Sequence, residues 1–91
     1  MKPTQVMIEG NLWAILPSKR GEMAARDNDG ECNFDDLTIR VYRDLGRHAQ
    51  LETVIHEVMH AQQPDMTEEA ITRRAREITR ALIRTGVFHQ R

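Results

Sequence analysis

Apolar and polar residues alternate along this chain with two different periods, and the change of period marks a change of element. In the first half the period is two. Leu37, Ile39 and Val41 alternate with Thr38, Arg40 and Tyr42, which predicts a half-buried strand over residues 37–43 of an antiparallel sheet. Shorter apolar runs at 5–9 and 12–16, separated by the turn pair Gly10-Asn11, predict a β-hairpin. Pro17 and Ser18 close the second run. The polar stretch 19–29 that follows reads as a loop, with one helical turn expected at Met23-Ala24-Ala25. Residues 30–34 read as another short strand, turned into the next by Asp35-Asp36.

Beyond the breaker Gly46 the period becomes 3.6. Leu51, Val54, Ile55, Val58 and Gln62 share one face of a helix predicted over 48–63, which Pro64 ends. Ala49, Thr53, His56 and His60 share the opposite stripe. A second helix is predicted over 67–86, capped by Thr67, opened by Glu68 and Glu69 and closed by Gly86. Ile71, Ala75, Ile78 and Leu82 form its apolar stripe, and Val87 and Phe88 are expected to fold back on the core. Strands followed by helices predict an α+β fold: a small antiparallel sheet of about four strands, then two helices packed near it. The whole of 1–91 reads as a single domain, β-rich over 1–44. Trp13 is expected in the core. The strand 37–43 leads straight into the first helix and is expected to be the sheet edge, with Arg40 and Tyr42 facing a cleft above that helix.

Composition narrows the function classes. A hydrophobic content of 40% supports one small core, and a net charge of −1 gives no general pull toward nucleic acid or membrane. No apolar stretch reaches the ~20 residues a spanning helix needs. The opening residues carry no apolar run of signal-peptide length, and the lone cysteine, Cys32, forms no internal disulfide. The expected setting is a reducing cytoplasm.

The candidate chemistry lies in His56-Glu57-Val58-Met59-His60. Four residues apart on a helix, two imidazoles face one side about 40° apart, so both reach one ion. Glu57, about 100° round from His56, stands beside that ion. Two neutral nitrogen ligands and a carboxylate that takes a proton from a coordinated water are what a hydrolytic zinc site needs. A catalytic zinc takes a third protein ligand. Gln63 and Met66 occupy the positions of the glycine and third histidine in the extended motif, so that class is excluded. Asp65, Glu68, Glu69 and Glu77 are the candidates. Relative to the inward direction of the second helix, Glu68 lies at about 50°, Glu69 at about 150° and Glu77 at about 130°. Glu68 is therefore favoured, with Glu69 the alternative, although a first-turn glutamate also complements the helix dipole.

The run LETVIHEVMHAQQPDMTEEAITRRAREITRALIRTGVF resembles the C-terminal part of small zinc metallopeptidases encoded by phages and prophages. More remotely it is similar to SprT-like and other minimal zincins. The likeness covers about residues 30–88, including a Gly-x-Cys strand and an Ile- and Arg-rich strand, and is strongest over 51–86. It implies a zincin-type peptidase in a bacterial host cytoplasm. In that family pattern His56, His60 and Glu68 would hold Zn²⁺, Glu57 would be the general base, and a peptide or protein would be the substrate. Tyr42, Arg40, His48 and His89 are the candidate donors to substrate or to the developing oxyanion, and the sequence does not choose among them.

Two rivals compete. Residues 67–91 carry six arginines against three glutamates, whereas residues 1–66 carry seven basic against eleven acidic side chains. Arg73, Arg76, Arg80 and Arg84 share one helix side. They suit a non-catalytic zinc-containing module contacting nucleic acid or a protein partner. A solvated helix face is the simpler account, and no aromatic residues interleave the arginines. A purely structural zinc would want four protein ligands, usually cysteines.

Overall fold

In the computed structural model, which describes residues 1–88, the chain first doubles back at Glu9-Gly10. Both residues have positive φ, 48° and 80°, the backbone a two-residue type I′ turn requires. The turn joins β1 (Thr4–Ile8) to β2 (Asn11–Ser18), so Asn11 belongs to the second strand and pairs with Ile8. After the loop 19–29 come β3 (Gly30–Asn33), β4 (Thr38–Tyr42), α1 (Arg47–Gln62) and α2 (Glu68–Thr85). The fold is α+β, a four-stranded sheet followed by two helices. The short helical turn of the loop falls at Arg20–Glu22, ahead of the expected Met23-Ala24-Ala25, because the Glu22 carboxylate accepts the Lys19 N–H at 2.7 Å.

The sheet departs from expectation in one respect that matters for the site. Its order is β1-β2-β4-β3, and the central pair β2–β4 is parallel while the outer pairs are antiparallel. Strand β4 is therefore central, with both neighbours paired, and the expectation that residues 37–43 form an edge is wrong. The reason is the length of β2. It does not stop before Pro17 but runs on to Ser18, and its last residues pair with β4 from Ala14↔Thr38 to Ser18↔Tyr42. The edges are β1 and β3. The β3–β4 turn is held by Asn33 Oδ1, which accepts the N–H of Asp35 at 2.8 Å and of Asp36 at 3.4 Å.

Alternation puts Ile8, Trp13, Ile15, Ile39 and Val41 on one sheet face, where they form the core with Ala61, flanked by Val54 and Val58 of α1. Trp13 is 2% exposed and meets Phe34 edge to face at 5.3 Å. α1 packs on β1, β3 and β4, and α2 packs on α1, giving three layers with α1 in the middle; the helices do not share the sheet as expected. The buried stripe of α2 is Ile71, Ala75 and Thr79, while Ile78 is 43% exposed. Thr79 tolerates burial because its hydroxyl donates to the Ala75 carbonyl at 2.7 Å. Of the last two described residues, Phe88 is half-buried and borders a shallow pocket together with Leu51 and Val54 of α1, but Val87 stays exposed. Among the described residues no helix is long and apolar enough to cross a membrane.

This register of α2 is testable by denaturant unfolding. Ile71→Ala, at a site with no exposure, should cost about 2–5 kcal/mol. Ile78→Gln should change stability by about 0.5 kcal/mol or less.

Candidate metal centre

α1 is positioned by an unusually close approach to the edge strand β3. A Cβ built on Gly30 would lie 2.6 Å from Thr53 Cγ2 and 3.0 Å from both Cγ and Oε2 of Glu57. Only glycine lets the helix sit this near. The Thr53 hydroxyl turns back to donate to the Ala49 carbonyl at 2.7 Å, leaving its methyl group toward the strand. Burial of the helix then follows from its period. Val54, Val58 and Ala61 enter the core, Glu57 and Thr53 meet β3, and His56 and His60 emerge on the remaining side.

The two imidazoles are 4.9 Å apart at their centroids, with their Nε2 atoms 3.2 Å apart. Glu68 faces them from the first turn of α2, where Thr67 caps the helix by accepting the Ala70 N–H at 3.2 Å. Its Oε1 lies 2.7 Å from His56 Nε2 and its Oε2 lies 2.7 Å from His60 Nε2. These three side chains are the only group among the described residues with the donors to hold a metal ion, their ligand atoms all within 4.8 Å of one another. The fit is close. Donors around a tetrahedral zinc at 2.0–2.1 Å stand about 3.3 Å apart, so the imidazoles already have the spacing and the carboxylate must withdraw by roughly half an ångström. Glu68 is 67% exposed and free to do so. Asp65, Glu69 and Glu77 are not brought to the cluster.

Glu57 is 7% exposed and lines the same cleft as the triad, an open space of about 640 Å³. Burial pushes its carboxyl up from 4.5 to about 7, and the charges of Glu68 and then Glu31 add to the effect. A cation held by the triad would offset the contribution of Glu68. Cys32 stands in the cleft wall. Its thiol is pushed up to about 11 by burial and then by Glu57, so it packs as a neutral group.

Other residues of the cleft were invisible to motif reading. Asp29, Glu31, Phe34 and Glu52 line it together with Gly30, and no lysine or arginine does. Glu52 was within reach of spacing arguments, one helical turn before His56. Gly30 and Glu31 come in through β3, and Phe34 directly after it; the sequence pairs that strand with the next one but does not reveal that it lies against α1. The expected substrate contacts are not brought together here. Arg40 donates to Ser18 Oγ at 3.1 Å, Tyr42 carries the Arg20 guanidinium 3.8 Å above its ring, and His48 is exposed at the start of α1. None of the three lines the cleft. Arg40 and Tyr42 alternate with the core residues Ile39 and Val41, so they point to the sheet face away from α1. His89 lies outside the described residues.

Comparison with family models, with characterised proteins and with solved structures finds no match to this chain.

Two outcomes are expected. In zinc titration calorimetry the wild-type chain should bind one ion, and His56→Ala, His60→Ala and Glu68→Ala should each lose that binding or weaken it strongly. Zinc at one hundred times its Kd should stabilise the wild type by about 2.7 kcal/mol. The second outcome concerns pH in the metal-free protein. Between 4.5 and about 7 the native state keeps a proton on Glu57 that the unfolded chain has released. Stability should therefore fall as pH rises through that window. Urea midpoints across the window should show the slope in wild type and its loss in Glu57→Gln.

Proposed function

We propose that this protein is a zinc-dependent peptidase of minimal zincin type. The observation that carries the reading is the division of neighbouring α1 residues between two environments. His56 and His60 share the Glu68 carboxylate, while the intervening Glu57 is held buried in the wall of the same cleft with its proton affinity raised toward neutrality. His56, His60 and Glu68 would hold the ion, and the imidazole–carboxylate donor set suits zinc. When bound there, zinc lowers the pKa of a water and polarises a carbonyl.

The chain's own residues supply the rest. Glu57 accepts a proton from the attacking water and returns it to the departing amine, a task suited to a carboxyl poised near the working pH. The unpaired edge of β3 borders the cleft, and an extended peptide can add to such an edge through main-chain hydrogen bonds. β3 therefore takes the role that the sequence alone suggested for residues 37–43. Asp29, Glu31 and Glu52 around the cleft, with no lysine or arginine among its lining residues, favour peptide segments that are neutral or basic over acidic ones.

No feature of the cleft favours the rivals. A structural zinc would be enclosed by four protein ligands, whereas this triad leaves one side open and includes an exposed glutamate. Arg73, Arg76, Arg80 and Arg84 are exposed on α2 and stand outside the cleft.

The decisive variant is Glu57→Gln, which keeps volume and hydrogen-bonding capacity but removes the basic oxygen. Zinc content should match wild type, while hydrolysis of an unstructured peptide library should fall by on the order of 10²–10⁴. Equal rates for the two proteins would remove the peptidase reading and leave only metal binding.

A further inference from the structure

Parallel pairing of β2 with β4 forces an unusual path on the loop between β2 and β3. The strands it joins lie on opposite sides of β4, and both loop ends meet the same end of that strand: Ser18 pairs with Tyr42, and Gly30 with Val41. The loop 19–29 must therefore pass over the C-terminal end of β4. It is polar, and Met23 is its one deeply buried apolar residue. Its return limb ends at Asn28 and Asp29, which line the metal cleft, and runs directly into Gly30, which abuts Glu57.

One side chain ties this crossing together. Arg20 leaves the start of the loop and lays its guanidinium over the Tyr42 ring at 3.8 Å. From there Nη1 donates to the carbonyls of Arg26 at 3.0 Å and Asn28 at 2.7 Å, and Nη2 donates to Asp29 Oδ1 at 3.3 Å. The Tyr42 N–H donates to the Asp29 carbonyl at 2.7 Å. Both carbonyls ahead of Gly30 are thus fixed, one by Arg20 and one by the residue on which Arg20 is stacked. Arg20 itself does not line the cleft.

We infer that Arg20, seated on Tyr42, is a positioning residue for Glu57, acting through the segment 28–30 that forms the wall beside it. The inference rests on the peptidase reading. The transmission is steric. There is no room for a methyl group between Gly30 and α1, so a displacement of the segment moves or uncovers the Glu57 carboxylate. Two members of the ligand triad stand on the stripe of α1 that meets α2 and the third comes from α2 itself, so the contacts that assemble the triad do not pass through Gly30. The planar fork is essential to the device. Lysine carries the same charge but can neither stack flat on the ring nor donate in several fixed directions at once. Tyr42 thereby acquires a role that its place outside the cleft otherwise leaves unexplained.

The test uses the zinc-loaded full chain and the variants Arg20→Ala, Arg20→Lys and Tyr42→Leu. For Arg20→Ala, kcat on a peptide substrate should fall by on the order of 10- to 100-fold, with KM changed by less than about threefold, and zinc affinity and thermal midpoint should stay near wild type. Arg20→Lys should not restore the rate, and Tyr42→Leu should lose part of it. Cleavage by trypsin after Arg26, in the middle of the loop, should be much faster in Arg20→Ala than in wild type. That measurement reads the clamp without any peptidase activity. Wild-type kcat in Arg20→Ala or in Arg20→Lys would overturn the inference. So would a joint collapse of zinc affinity and thermal midpoint, which would make Arg20 a general support of the fold. An inactive wild type that binds zinc would instead overturn the peptidase reading beneath it, and unchanged trypsin cleavage would then dispose of the clamp as well.

Discussion

The contact between α1 and β3 at Gly30 is the constraint on which the site depends. A helix in the middle layer of a three-layer domain has to satisfy a sheet on one side and a second helix on another. Successive residues on it turn by about 100°, so neighbours in sequence reach different surroundings. Because α1 comes so close to β3 at Gly30, Glu57 is pressed against the strand, while His56 and His60 are carried past it to meet α2. One helical turn thereby holds a carboxylate that is 7% exposed beside two imidazoles facing a glutamate that is 67% exposed. A side chain at position 30 would push the helix away and merge those two environments.

The electrostatics follow from the same packing. Enclosing Glu57 near Glu68 and Glu31 sets three like charges around one small space, an arrangement unfavourable unless a proton or a cation is present. The basic residues that might have balanced them lie elsewhere. Arginines crowd the outward face of α2, and Arg20 and Arg40 are engaged on the far side of the sheet or over its end. A proton on Glu57, or a cation at the His56–His60–Glu68 cluster, would relieve that repulsion.

Much of this could be read from the sequence where the governing rule is local. Periodicities of two and 3.6 give four strands and two helices, and the spacing of His56 and His60 together with the helical angle of Glu68 anticipates the trio that the structure assembles. What could not be read depends on which elements become neighbours. Alternation along residues 37–43 says which side chains share a face, but not that β2 continues through Pro17 to pair alongside, and so β4 was mistaken for an edge. The same gap hid β3 as the strand beside the cleft and sent Arg40 and Tyr42 to the wrong face. Thr79 was passed over for Ile78 because hydropathy alone does not register a hydroxyl satisfied by its own helix. Arg20 carried no signal, since its two shortest hydrogen bonds go to backbone carbonyls, which every sequence possesses, and the Tyr42 ring on which it stacks is distant in sequence.

The parallel register of β2 with β4 also governs the order in which the molecule can assemble. The β1–β2 and β3–β4 hairpins close over short turns, and so does the α1–α2 pair that brings Glu68 to the histidines; contacts of this kind form early. The joining of the two hairpins closes a longer loop and repays its entropy only when the strands lie side by side. Until then the core that α1 covers lacks Trp13 and Ile15 of β2. The His56–His60–Glu68 cluster therefore needs only the α1–α2 pair, whereas the enclosure of Glu57 needs the packing of α1 on the sheet, so the two halves of the site rest on different tertiary contacts and can be lost independently.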